Sequence, residues 1–275
     1  MRLAIQGRML VSIDDPADTR LSAYRDIRER DMVGREGRFV AEGKVVISVL
    51  LNASRFETES ILVSENRLAG ISGLLEGAPA SLPVYVASEA VLSQIAGFHV
   101  HRGVLAIGKA RQQTTLNSFL GTLGQDALVV VLSDISNHDN VGSIFRNAAA
   151  FEADAIILDE TSCDPLYRKS VRVSVGAALK VPFFRGGALS AILDTLEGQD
   201  FGIAALSPQG QKPVSSMKFG GRRALLLGSE GHGLPAHIMQ RLETWAIPMS
   251  SSFDSLNVAT ASGIALFHAS KFGKP

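Results

Sequence analysis

The continuous apolar run Ala127-Leu-Val-Val-Val-Leu132 constrains this chain more than any other stretch. A strand with one face in water alternates apolar and polar residues. A run without alternation fits a strand buried on both faces, as in a parallel sheet covered by helices. The pattern recurs at Ala155–Leu158, Phe201–Leu206, Arg223–Leu227 and Trp245–Ile247, with helical candidates at 141–151, 165–178, 188–197, 234–242 and 256–270. Alternating strands and helices of this kind predict a parallel α/β sheet. Ligands of such sheets meet the C-terminal ends of the strands. Two ends stand out. Leu225-Leu-Leu227 opens into Gly228-Ser-Glu-Gly-His-Gly233, where backbone rather than side chain would meet a ligand. Trp245-Ala-Ile-Pro-Met249 opens into a Ser-rich loop carrying Asn257, and together the two loops are the expected place for a small-molecule site.

Ahead of this unit the chain reads as a smaller α/β domain over residues 1–109. Asp14 to Arg20 is turn-rich, and Leu21 to Asp31, with Leu21, Tyr24 and Ile27 at helical spacing, reads as a short surface helix. Phe39-Val-Ala-Glu-Gly43 leads into the apolar run 45–51, and Ser60–Val63 and Val84–Val86 look like short strands. The pattern continues through 89–95 and 101–107. Around Gly108 to Thr115 apolar periodicity gives way to polar residues, so residues 110–126 read as a linker and 127–275 as the second domain.

Charge and cysteine content narrow the classes. Lys+Arg and Asp+Glu are 27 each, for a formal charge of +0, so no global basic field advertises nucleic acid and any RNA contact must come from local clusters. The single cysteine, Cys163, excludes an internal disulfide and a Cys-based zinc cluster and fits a reducing compartment. Histidines 99, 101, 138, 232, 237 and 268 lack metal-ligand spacing, so no metal is expected. Without a secretory segment or an apolar run of about 18 residues, a soluble, cytoplasmic protein with no membrane contact is expected.

Three polar stretches could carry chemistry. Ser136-Asn-His-Asp-Asn-Val-Gly142 follows the strand at 127–132; Asn, Asp and Ser there also serve simply as caps and turns. Arg146 is harder to explain, because it sits on a helix of Val, Ile, Phe and Ala where an arginine is costly unless it meets an anion or a carboxylate. Arg168, Lys169 and Arg172 lie on adjacent turns, either as a solvated helix face or as a clamp for an RNA phosphate backbone. The third stretch, Gly228 to Leu234, is neither G-x-G-x-x-G nor G-x-x-x-x-G-K-[ST], and Ser229 is not in a G-x-S-x-G elbow, which disfavours a Rossmann dehydrogenase, a P-loop NTPase and an α/β-hydrolase.

Taken in order, these blocks resemble the three signature motifs of the SpoU (TrmH-like) RNA ribose 2′-O-methyltransferases of the SPOUT superfamily. The first is carried by Asn137, Asn140, Gly142 and Arg146, the second by Gly228-Ser-Glu-Gly231 with Gly233-Leu234, and the third by Ile247-Pro-Met249 and Ser255-Leu-Asn-Val-Ala259. Lys169, Arg172, Ser174, Gly176 to Leu179 and Val181-Pro182 are similar to the family's central segment. Phe39 to Gly43 and His101 to Ala106 resemble the L30e-like substrate-binding domain found in many members. Glu152 departs from the family, which usually has glycine there; a local adjustment of the turn before strand 155–158 is expected. His138-Asp139 between the two asparagines is also less usual.

The resemblance implies a SPOUT parallel sheet with helices on both faces and a deep trefoil knot, a rare exception to unknotted chains, preceded by an L30e-like RNA-binding domain. It implies S-adenosyl-L-methionine as cofactor, held by Leu206, Gly228, Ile247 and Leu256, and a homodimer acting on rRNA or tRNA. Arg146 would bind the phosphate next to the acceptor ribose and stabilise the developing alkoxide, with Asn140 and Glu230 orienting it and Ser255 and Asn257 lining the pocket. A non-catalytic RNA-binding protein of the same fold and a SPOUT base methyltransferase are the alternatives. The presence of Asn140, Arg146, Glu230, Ser255 and Asn257 weighs against the first, and Arg146 with Ser255-Leu-Asn257 weighs against the second.

Overall fold

Two units make up the computed structural model, one of residues 1–112 with 166–180, the other of residues 113–165 with 181–275. It describes all residues except 1–3, 6–7, 26, 28–36, 54, 112, 218–219, 251, 253 and 274–275. In the first unit, β1 (Ala4–Ile5) and β2 (Arg8–Met9) form an antiparallel ribbon. The main sheet contains β3 (Val11–Ile13), β4 (Arg38–Glu42), β5 (Phe56–Ser64), β6 (Val84–Ala87) and β7 (Val104–Ala110), in the order β3-β6-β5-β7-β4. β6 runs parallel to β3 and β5, while β7 is antiparallel to β5 and β4. The apolar run after Gly43 is a helix, Lys44–Asn52. A second helix, Glu89–Ala96, starts where Ser88 Oγ accepts from the Val91 N–H and stops at Gly97 with φ 78°.

Two expectations change in this unit. The surface helix at Leu21 to Asp31 is instead a 3₁₀ turn, Thr19–Tyr24, and positions 28–31 lie outside the described residues. Leu21 and Tyr24 are fully buried, and the Tyr24 hydroxyl hydrogen-bonds Ser60 Oγ at 2.8 Å. Residues 166–180, assigned from sequence to the second domain, group with the first unit. There the helix Arg168–Val173 brings Arg168 to Glu42 on β4, Nη2 to Oε2 at 2.8 Å, with the guanidinium 4.2 Å from the Phe98 ring centroid.

The second unit is built as its apolar runs require. Its seven strands are β8 (Leu128–Leu132), β9 (Ala155–Leu158), β10 (Phe183–Arg185), β11 (Gly202–Leu206), β12 (Lys212–Pro213), β13 (Arg223–Leu227) and β14 (Glu243–Ala246), in the order β10-β9-β8-β13-β11-β14-β12. All their pairings are parallel. Every residue of β8 and β9 is buried, which explains the unbroken apolar runs. On one face Val129, Val131, Ile157 and Leu226 pack with Ile192 and Leu196 of the helix Leu189–Glu197 and with Ile238 of the helix Ala236–Arg241. Elsewhere the helices His138–Ala150 and Val258–Ala269 pack on each other, joined by Asn147, whose Nδ2 donates to the Ala259 carbonyl at 2.7 Å and to Ser262 Oγ at 2.9 Å.

The expected linker is also structured. Leu116–Gly121 is a helix capped by Thr115, and Leu120 is fully buried in the core of the second unit with Leu116, Phe119 and Leu123 packed against it. Those leucines and the phenylalanine have helical spacing, hidden among polar neighbours.

Candidate functional site

The site is assembled in the second unit from three strand ends. Beyond β8, the backbone turns at Asp134, whose φ is 56°. The turn is held from below by Asp159, a buried residue just past β9. Its carboxylate accepts from Ser133 Oγ at 2.9 Å, from the Asp134 N–H at 3.1 and 3.2 Å, and from the Ser162 N–H and Oγ, each at 2.8 Å. Asn137 then caps the helix His138–Ala150, its Oδ1 accepting from the Asp139 N–H at 2.9 Å. This was the capping role anticipated for the loop. Asn140, in the first turn, is buried at 6 % exposure.

Beyond β13 the glycine loop folds back on itself. The Gly233 N–H donates to the Ser229 carbonyl at 2.9 Å, and a Cβ on Gly228 would lie 2.6 Å from the Gly233 carbonyl carbon. Gly228 is therefore required for the loop's own closure, in addition to any approach of a ligand. Gly233, at φ 66°, occupies the left-handed region that glycine tolerates best. Beyond β14, Asn257 caps the helix Val258–Ala269, with Oδ1 accepting from the N–H groups of Ala259 and Thr260 at 2.9 and 3.2 Å.

The three ends meet. Asn140 Nδ2 donates to Glu230 Oε1, Asn257 Nδ2 donates to the same oxygen at 2.9 Å, and Asn257 Nδ2 also lies 3.0 Å from Asn140 Oδ1. Each residue comes from a different motif. Next to this triangle is a cavity of about 790 Å³, whose wall includes Leu206, Gly228, Ile247 and Leu256, the four positions expected to hold a cofactor, together with Glu230 and Ser255. Its size lies in the range of small-molecule sites. Much of the wall is made by residues 206–209, 228–236, 247, 249, 255 and 256, so it offers backbone groups beside the apolar side chains of Met239 and Trp245.

Other expected residues stand apart. Arg146 is exposed on the helix His138–Ala150, so no buried anion or carboxylate is needed to account for it. It lies about 9 Å along the axis from Asn140 by helical rise, and it lines neither this cavity nor the smaller one described below. Asn140 and Glu230 therefore orient each other and Asn257, with no hydrogen bond to Arg146 among the described residues. Arg168 is committed to Glu42 and Phe98 in the first unit, which corrects its reading as a free phosphate clamp; Lys169 and Arg172 are exposed. Among the described residues no group of three or more His, Cys, Asp or Glu could hold a metal, and no helix is long and apolar enough to cross a membrane.

Sequence reasoning missed Asp159 and Asn147. Asp159 had a signal, a carboxylate directly after a fully apolar strand and three residues before Ser162; Asn147 had only its place beside Arg146. Glu152, where the family usually has glycine, adopts a φ of 53° and forms an ion pair with Lys271. Cys163, whose N–H donates to the Ile135 carbonyl, has its thiol pushed up to about 11 by burial and by the neighbouring Asp164 carboxylate.

The chain is similar to known proteins over most of its length. The model of the SpoU rRNA Methylase family matches residues 127–267. An uncharacterized tRNA/rRNA methyltransferase of Mycobacterium tuberculosis is 38% identical over 278 residues, covering 97% of this chain and 94% of that protein. The 23S rRNA (guanosine-2′-O-)-methyltransferase RlmB of Escherichia coli is 29% identical over 190 residues, 68% of this chain and 78% of that protein. Among solved structures, an AdoMet-bound rRNA methyltransferase from Sinorhizobium meliloti superposes with TM-score 0.79 at 22% identity, covering 94% of this chain and 97% of that one. The SpoU methyltransferase AviRb from Streptomyces viridochromogenes, in complex with AdoMet, superposes with TM-score 0.77 at 22% identity over 91% of this chain and 97% of its own. At those identities the structures establish a shared fold.

Proposed function

This chain belongs to the SpoU rRNA methylase family, and we propose that it methylates a ribose 2′-hydroxyl of structured rRNA or tRNA with S-adenosyl-L-methionine as donor. The observation that carries the reading is the convergence of Asn140, Glu230 and Asn257 beside the cavity walled by Leu206, Gly228, Ile247 and Leu256. The cavity fits the cofactor in size and in its mix of backbone and apolar groups. The relatives support the chemistry, since RlmB acts on a guanosine 2′-O and two of the similar structures hold AdoMet.

The donor supplies a methyl group on a sulfonium. The chain's part is to bind, align and manage charge. Gly228 and Ile247 would hold the donor through backbone groups, while Leu206 and Leu256 would exclude water around it. The triangle of Asn140, Glu230 and Asn257, with Ser255 in the cavity wall, would position the acceptor; holding two reactants in line is the larger part of such a displacement. Arg146, exposed and without a hydrogen-bond partner among the described residues, is suited to bind the RNA phosphate next to the reacting ribose. Lys169 and Arg172 would extend the phosphate contacts. We further propose a homodimer, a deep trefoil knot formed by the loops that wall the cavity, and an L30e-like RNA-binding role for the first unit. The exposure of Arg146, and of Phe267 at 43%, leaves both side chains accessible to a partner.

Labelled S-adenosylmethionine, incubated with the protein and RNA from cells lacking it, tests the reading through nucleoside analysis. A labelled 2′-O-methylnucleoside is expected. Labelled base would assign the chain to base methylation, and failure to bind the donor at all would favour a non-catalytic RNA-binding protein.

A further inference from the structure

Beside the large cavity lies a smaller one of about 210 Å³, and the loop Ser229–His232 contributes to the wall of both. The rest of the small cavity is mostly polar, with Asp134, Ser136, Asn137 and Asn140 around it. A compartment that adjoins the donor site and offers hydrogen-bonding side chains suits a sugar with its hydroxyls. Three side chains in it can accept a proton, and the structure separates them. Glu230 Oε1 is already occupied by the amides of Asn140 and Asn257. His232 sits on an exposed loop between Gly231 and Gly233. Asp134 is exposed as well, but its N–H is anchored on both oxygens of the buried Asp159, at 3.2 and 3.1 Å, and its own carboxylate has no hydrogen-bond partner among the described residues. Its backbone is firmly placed, and its carboxylate is open to a substrate.

We propose that Asp134 receives the proton of the acceptor ribose 2′-hydroxyl, an inference that rests on the reading of this site as a ribose methyltransferase. The O–H bond breaks toward the Asp134 carboxylate. The freed oxygen pair forms the new O–C bond to the methyl carbon, and the C–S bond breaks with its electron pair going to sulfur, leaving a neutral thioether. The proton leaves Asp134 for water before the next turnover. A guanidinium cannot perform this step, because it does not give up its own proton in proteins and so has no free pair to offer. Arg146 is thereby left to bind phosphate.

The test is Asp134→Asn. Asparagine accepts the left-handed backbone as readily as aspartate and keeps the N–H that Asp159 holds, so only the carboxylate is lost. With RNA that the wild-type protein methylates, kcat is expected to fall by about 10²- to 10⁴-fold, the usual contribution of a positioned acid or base. Binding of S-adenosylhomocysteine and the Tm should stay at wild-type values. Asp134→Gly, which also suits this backbone, should show the same loss. Wild-type kcat in Asp134→Asn, or a change confined to KM, would overturn the proposal. Labelled base in the wild-type product would overturn the ribose reading itself, independently of how the variants behave.

Discussion

Asn257 and Asn140, 117 residues apart in the chain, are hydrogen-bonded side chain to side chain at 3.0 Å, and both donate to one oxygen of Glu230. Asn257 also caps the helix that follows it. Two different motifs are thus locked together through a residue that simultaneously starts a helix.

These two duties of Asn257 can be separated. Asn257→Ala should cost about 1–2 kcal/mol of stability from the lost cap and abolish the contact with Glu230. Asn257→Asp keeps a good capping oxygen but sets a carboxylate against Glu230. Chemical denaturation should place Asp near wild type and Ala well below it, while methyl transfer should fall in both. Equal stability of the two variants would remove the cap from the account.

Gly228→Ala forces a methyl group against the Gly233 and Leu234 backbone, at 2.6 to 2.8 Å. Backbone cannot swing aside as a long side chain can, so the loop must open. Overpacking of this kind costs about 1–3 kcal/mol. Calorimetric titration should show donor affinity lowered by about tenfold or more, equivalent to about 1.4 kcal/mol. Unchanged affinity would mean the loop does not shape the donor site.

Arg146→Ala should abolish transfer and leave both stability and donor binding intact. The side chain is exposed, and such surface changes usually stay within about 0.5 kcal/mol. Normal turnover in this variant would exclude Arg146 from the reaction.

Arg168→Ala should behave oppositely, because it strands the Glu42 carboxylate, whose side chain is only 7% exposed. Removing one member of a buried pair costs about 3–5 kcal/mol, so a lower Tm is expected as the first effect. Lys169→Ala and Arg172→Ala should instead keep the Tm and weaken RNA binding, with a shallower dependence on salt. A stable Arg168→Ala that merely binds RNA less well would restore Arg168 to the phosphate clamp.

Cys163 supplies a pH prediction. Burial raises its thiol to about 11, and it is the only cysteine in the chain. Above its ordinary value the unfolded chain would carry a thiolate while the folded chain still carries the neutral thiol, so this group stabilises the fold at neutral pH and below, and that contribution turns into a penalty for folding as pH rises from about 9 toward 11. Thiol alkylation should be slow near pH 8 and accelerate on denaturation; rapid labelling of the folded protein would contradict the burial.

The unbroken runs at 127–132 and 155–158 determined, by sequence alone, that two strands are buried on both faces. The glycines and asparagines beyond the strands marked where a site would form, because turn, cap and strand preferences act over a few neighbouring residues and are written locally. The helix Leu116–Gly121 was not read from the sequence, which gave a linker there, because its apolar positions lie among polar neighbours. What only tertiary structure decided involves partners far apart in the chain. Whether Arg168 faces solvent or Glu42 depends on where β4 lies, 126 residues away in sequence. Asp159 matters because β8 and β9 are adjacent and parallel, which brings Asp134 within reach of a buried carboxylate. Asn140, Glu230 and Asn257 become one hydrogen-bonded group for the same reason: sheet order and helix packing set which strand ends meet, and no local pattern encodes that choice.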